Sequence, residues 1–394
     1  MKRLELGLFE RRIVVCVGCG GVGKTTIAAA LGIEAARAGM RTLVLTIDPA
    51  RRLADALGIG EIGNEPRPLP AAALAALGVP AEAGLSAVML DMKGTFDELV
   101  ERFAESAAAR DRILRNPIYQ NVSDALAGSV EYSAMEKVYQ LSQDPTYDLL
   151  VVDTPPAQHA LDFLDAPQRL LAFLDSRFMQ LLVHPAFAAG RFGVRLFQRG
   201  TQRVLALMES VTGMGFLQDV SEFLLAFEGM SEGFRQRASS VRALLAGPET
   251  GYVLVAGPGR ESVAQSHQFL DRLEGFGIQL EGVVANRVRL WLDGAVPDAI
   301  RPTPEDLATL GRELARQAGP DFPAEAGARA AVECAEGYAA LVRRDAAALT
   351  SLRERVESGR RFWRAIPELD GDAHDLEALS RLGRLVSQPP RETS

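Results

Sequence analysis

Residues 18–25 read Gly18-Cys19-Gly20-Gly21-Val22-Gly23-Lys24-Thr25, a complete Gly-x-x-x-x-Gly-Lys-Thr loop. The apolar run Ile13-Val14-Val15-Cys16-Val17 precedes it, and an alanine-rich stretch over residues 26–38 follows it. Strand, glycine-rich loop and helix in that order form the context in which such a loop binds phosphate. The glycines let successive backbone N–H groups turn into one concavity, and the following helix adds the positive end of its dipole. Lys24 is then expected to reach the outer phosphates of a nucleotide, and the Thr25 hydroxyl to ligate Mg²⁺.

The pattern around this loop sets the fold class. Residues 42–47, 86–90, 149–152, 251–256 and 282–285 are apolar throughout rather than alternating. That is how strands read when helices cover both faces of their sheet. With residues 13–17 they predict an α/β fold with a doubly wound, mostly parallel sheet. A short last strand is expected near residues 362–366. Two long helical regions, residues 95–143 and 167–245, read as a helical subdomain inserted in one nucleotide-binding domain over residues 1–394. The second holds many large apolar side chains, among them Phe173, Phe178, Met179, Phe187, Met208 and Met214. These suit either an adaptable groove for an apolar protein segment or the region's own core. Residues 66–80 read as a connecting loop whose alanine-rich middle, 71–77, adds a short helical turn.

Bulk composition narrows the function. The 394 residues are 47% hydrophobic and 24% charged, enough for a large buried core. A net charge of −8 gives no overall basic footprint for nucleic acid. Lysine occurs only at Lys2, Lys24, Lys93 and Lys137, so an ammonium at position 24 of an arginine-biased chain fits a phosphate pocket. Cys16, Cys19 and Cys334 form no Cys-x-x-Cys pair and no disulfide framework, which points to a reducing compartment. The first residues, Met1-Lys2-Arg3-Leu4-Glu5-Leu6, carry charges where a secretory signal needs an apolar core. No uncharged apolar run approaches the length of a membrane span. A cytoplasmic protein without an integral membrane segment is expected.

Three further strand ends carry polar groups suited to a nucleotide. The second strand runs into Thr46-Ile47-Asp48-Pro49-Ala50. A carboxylate there faces the ligand crevice and can order the attacking water or a water on Mg²⁺, although an Asp-Pro turn that only ends a strand reads equally well. Leu149-Leu150-Val151-Val152-Asp153 is a Walker-B-type element whose carboxylate helps to hold Mg²⁺, directly or through water. His159, just beyond it, reads as structural. Val283-Val284-Ala285-Asn286-Arg287 offers a carboxamide that suits the edge of adenine, or a plain strand-end asparagine.

Taken together, these pieces resemble the ArsA-related, or anion-transporting, ATPase family of phosphate-loop NTPases of the SIMIBI type. That group includes the arsenite-pump ATPase and the targeting factor for tail-anchored membrane proteins. The resemblance runs through Gly20-Gly21-Val22-Gly23-Lys24-Thr25-Thr26, Asp48-Pro49-Ala50, residues 128–137, Asp153-Thr154-Pro155-Pro156, Asn286-Arg287 and Ile366-Pro367. It implies ATP and Mg²⁺ held by residues 20–26 and sandwiched at a dimer interface. Asp48 would lie in the first switch, Asp153 would open the second, and Asn286 would meet adenine. Three departures stand out. Cys19 occupies the position where the family usually has a lysine that reaches the partner's phosphates, and a neutral thiol cannot supply that cation. The arsenite-binding cysteine cluster is not evident, and the zinc-binding cysteine pair of the targeting factor is absent.

The leading expectation is therefore a dimeric ATPase that couples nucleotide state to a cargo- or partner-binding helical region. Either a homodimer or a heterodimer with a lysine-bearing paralog fits. A weakly active scaffold subunit of such a heterodimer is the second reading. A positioning ATPase of the ParA/MinD type is the third. That type needs the same missing lysine, and the tail over residues 378–386, short and mildly basic, reads as packing on the domain rather than on a membrane.

Overall fold

A computed structural model of the chain describes residues 7–47, 52–60, 63–116, 119–120, 129–154, 172, 231–278, 280–291, 295–319, 321–369 and 375–387. Eight strands lie in one sheet: β1 Ile13–Gly18, β2 Arg41–Thr46, β3 Arg67–Pro68, β4 Gly84–Met89, β5 Leu149–Asp153, β6 Thr250–Ala256, β7 Leu280–Val288 and β8 Phe362–Pro367. Their spatial order is β3-β4-β2-β5-β1-β6-β7-β8. All neighbours run parallel except β3 against β4. The expected doubly wound α/β sheet is present.

The helices are α1 Lys24–Arg37, α2 Arg52–Leu57, α3 Ala71–Ala76, α4 Met92–Phe103, α5 Ala107–Arg115, α6 Ser129–Ser142, α7 Ser231–Ala246, α8 Arg260–Gly275, α9 Pro304–Ala318, α10 Ala324–Ser358 and α11 Leu376–Ser387. The strands β1, β5 and β6 are buried at every residue, as continuous apolar runs between helical layers must be. Chain direction across the sheet reverses at β1. Its crossover leads to β2 on one side, while β6 leads to β7 on the other. A sheet of this kind binds ligands beyond the carboxyl ends of the strands at that reversal.

Two parts of the sheet layout depart from expectation. Residues 66–80 hold the edge strand β3 as well as the helical turn α3. Proline can enter a sheet only at such an edge, where its missing N–H is not needed, and Pro68 masks a two-residue strand as a loop. Helices α9 and α10 pack on each other, a pairing that no expectation covered. The start of α9 was signalled: Thr303 accepts from Asp306 N, Asp306 reaches back to Thr303 N, and Pro304 opens the helix. The 35-residue α10 then lies on α8, β7 and β8, and its Leu349, Leu352 and Val356 join the common core.

Of the two expected helical regions, α4, α5 and α6 fall in the first and most of α7 in the second. Residues 173–230 lie outside the described residues. In the described part, α6 packs on β5 and α7 on β6. A buried ion pair ties them: Arg237 on α7 meets the fully buried Glu136 carboxylate at 2.7 Å and lies over the Tyr139 ring. Arg102 on α4 approaches the same carboxylate at 3.7 Å, so two guanidinium groups compensate the buried charge.

The last helix closes the opposite layer. α11 buries Leu379, Leu382 and Val386 and packs along α1, the helix that begins at the phosphate loop. The approach is close at Gly383, where an added Cβ would lie 2.6 Å from the Ala30 carbonyl oxygen. Gly383→Ala must therefore push two helices apart. We expect a loss of about 1–3 kcal/mol of stability, read as a lower urea midpoint with an unchanged m-value. An unchanged midpoint would mean that α11 does not seat on α1 in this way.

Candidate phosphate-binding site

The loop is built by its glycines. β1 ends at Gly18, and α1 starts at Lys24 behind Gly23, whose φ of 93° is left-handed. Gly21 is also left-handed, with φ of 76°. No side chain caps the amino end of α1, so its first N–H groups face the loop that leads into it. That is the arrangement of an anion nest at a helix start. The Lys24 side chain is buried and folds back across the loop, where Nζ donates to the Cys19 carbonyl at 2.9 Å.

Asp153 ends β5 in the middle of the sheet. Register places it beside Cys16 of β1 on one flank and Thr46 of β2 on the other. Its Oδ2 accepts from the Thr25 hydroxyl at 2.7 Å and from the Thr46 hydroxyl at 2.9 Å. The fold thus brings together Lys24, Thr25 and Asp153 from the set expected in sequence. Thr46 was not expected there. Asp48 and His159 lie outside the described residues.

Asn286 is buried near the end of β7, and its Nδ2 donates to the Val22 carbonyl at 2.8 Å. The structure therefore sets this residue against the loop itself. Gly20 and Gly21 are exposed at the loop tip, Val22 is buried, and Thr26 is half-buried on the first turn of α1.

The two cysteines of this region are closed in. Cys16 is fully buried, and burial, reinforced by the Asp153 carboxylate, pushes its thiol far up, so it is a neutral core residue. Cys19 is 5% exposed, and its thiol contacts the Ser262 carbonyl of α8 at 3.7 Å. Burial raises its pKa, against the lowering pull of the Ser262 side chain and of Lys24. A side chain here is turned toward the β6–α8 connection, which Ser262 braces again by accepting from Gly257 N at 2.9 Å.

A parallel-sheet core, a left-handed glycine nest at a helix start, and a buried carboxylate bonded to the loop threonine define a phosphate-loop nucleotide-binding protein. Residues 11–293 match the family described as anion-transporting ATPase, and the chain belongs to that family. Curated relatives agree. The chain is 33% identical over 172 residues to a Halobacterium salinarum protein named "Putative arsenical pump-driving ATPase", covering 42% of this chain and 25% of that one. It is 31% identical over 157 residues to ATPase GET3 of Malassezia globosa, covering 40% and 43%. It is 25% identical over 284 residues to ATPase get3 of Schizosaccharomyces japonicus, covering 72% and 76%. The matched part thus spans a quarter of the first relative, under half of the second and about three quarters of the third. Among the described residues no helix is long and apolar enough to cross a membrane.

Proposed function

We propose that the chain is a dimeric, cytoplasmic ATPase in which nucleotide state rearranges the helical regions that bind a partner or an apolar protein segment. The observation that carries the reading is the Thr25–Asp153 contact at 2.7 Å beside the glycine nest. A hydroxyl and a carboxylate that meet there are hard oxygen donors of the kind Mg²⁺ takes when it also binds nucleotide phosphates. Thr25 would hold the ion directly and Asp153 through water. Mg²⁺ would neutralise charge on the β- and γ-phosphates.

The chain's own groups do the rest. Backbone N–H groups of residues 20–25 grip the phosphates. Lys24 leaves the Cys19 carbonyl for the β- and γ-oxygens and stabilises charge as the bond to the γ-phosphate breaks. Asp48 orients the attacking water.

A second reading, a weakly active subunit that needs a lysine-bearing paralog, is favoured by Cys19. A neutral thiol turned toward Ser262 offers no cation to a partner's phosphates. One experiment addresses both. Calorimetry with Mg²⁺ and ATP tests binding by the lone chain, and phosphate release tests turnover with and without Cys19→Lys. We expect binding with slow turnover, and a gain of about tenfold or more in the lysine variant, since a charged donor aimed at the transferring phosphate contributes on that scale. Absence of binding heat would overturn the ATPase reading. Fast hydrolysis by the unmodified lone chain would remove the paralog-dependent one.

A further inference from the structure

β7 ends irregularly. Its pairing with β8 shifts register between Ala285 and Val288, and Arg287 adopts a φ of 57°, left-handed for a residue that is not glycine. Such bulges re-aim a side chain next to a site. The residue re-aimed here is Asn286, buried beneath the loop with its Nδ2 on the Val22 carbonyl at 2.8 Å. The contact requires glycine at position 23, where an added Cβ would lie 2.4 Å from that nitrogen. A trans peptide is planar, so the carbonyl of residue 22 and the N–H of residue 23 point in opposite directions.

We infer that Asn286 is a positioning residue for the phosphate loop: by holding the Val22 carbonyl it directs the Gly23 N–H to the loop's concave side, where phosphate binds. The inference rests on the nucleotide-binding reading above. It differs from a contact with the base. A base contact is felt alike by every adenine nucleotide, whereas a loop latch is felt by phosphate chains whether or not a base is attached.

The test is calorimetry of the full chain with magnesium tripolyphosphate, Mg·ATP and AMP, for the wild type, Asn286→Leu and Asn286→Ala. Leucine keeps the volume and removes the donor, while alanine removes both. We expect tripolyphosphate and ATP to bind about tenfold more weakly to both variants, the scale of one lost hydrogen bond to a buried carbonyl, with AMP affinity within about twofold of wild type. Two replacements of different size keep the comparison open where one of them fails to reach wild-type thermal unfolding. Weakened AMP binding with unchanged tripolyphosphate binding would make Asn286 a base contact and overturn the latch. A wild-type-like leucine variant beside an impaired alanine variant would make it packing, with the same consequence. If the wild type binds neither tripolyphosphate nor ATP, the nucleotide reading itself fails; if all three proteins bind them equally, only the latch fails.

Discussion

Lys24→Ala is expected to lower ATP turnover by about a thousandfold, equivalent to about 4 kcal/mol of transition-state stabilisation. Two effects combine. On the proposed reading the ammonium is the cation that the loop brings to the transferring phosphate, and a methyl group carries no charge to replace it. It is also the brace that spans the loop, from α1 to the Cys19 carbonyl at 2.9 Å. The loss of that brace loosens the nest before any nucleotide arrives. Weaker Mg·ATP binding should therefore accompany the loss of turnover, by about tenfold. Lys24→Arg should rescue little. A planar guanidinium is wider than an ammonium, and the site it would fill is buried. Steady-state phosphate release and calorimetry measure both quantities. A variant that turns over ATP at the wild-type rate would place the catalytic phosphate site elsewhere.

The loop was legible because the residues that form it are local. Gly18 to Thr25 are contiguous, and strand, loop and helix follow one another in sequence. Asp153 was legible for a similar reason, since a buried parallel strand writes its four apolar residues in a row and stops at the carboxylate. The partners of these residues were not legible. Thr46 meets Asp153 only because β5 lies between β1 and β2, a strand order that spacing along the chain does not encode. Asn286 was expected at adenine on resemblance. Its bond to Val22 joins residues 264 positions apart and depends on a bulge in β7 that no residue type announces. The edge strand β3 was hidden by proline. Helix α10 was missed although its apolar side chains recur at helical spacing, because alanine fills so much of it that the stripe has little contrast.

Cys19 shows the limit of reading chemistry from position alone. In sequence it marks a missing cation. In the fold the same side chain is a packing element between the phosphate loop and α8. A lysine placed there must either follow the thiol toward Ser262 or swing its longer stem outward into the crevice. The expected gain in turnover for Cys19→Lys depends on the second path, which the exposed Gly20 and Gly21 next to it leave open.

Asp153→Asn should separate activity from stability. The carboxylate is fully buried and carries two hydroxyl donors on one oxygen, Thr25 at 2.7 Å and Thr46 at 2.9 Å. Asparagine keeps the volume and one carbonyl oxygen, so both hydroxyls retain an acceptor. It also spares the fold the desolvation of a charge in the middle of a sheet. Thermal unfolding of the variant is therefore expected within about 1 kcal/mol of wild type. Mg²⁺-dependent turnover should fall by about a hundredfold or more, because a neutral carboxamide holds a divalent cation or its water far less well than an anion does. The Mg²⁺ concentration for half-maximal ATP binding should rise, while AMP binding without metal stays near wild type. Asp153→Ala is the contrasting case. It removes the acceptor that both threonine hydroxyls share and is expected to cost about 1–3 kcal/mol of stability as well. If Asp153→Asn left the Mg²⁺ dependence of turnover intact, the carboxylate would be a structural anchor for two hydroxyls, and the metal would have to be held by groups other than Thr25 and Asp153.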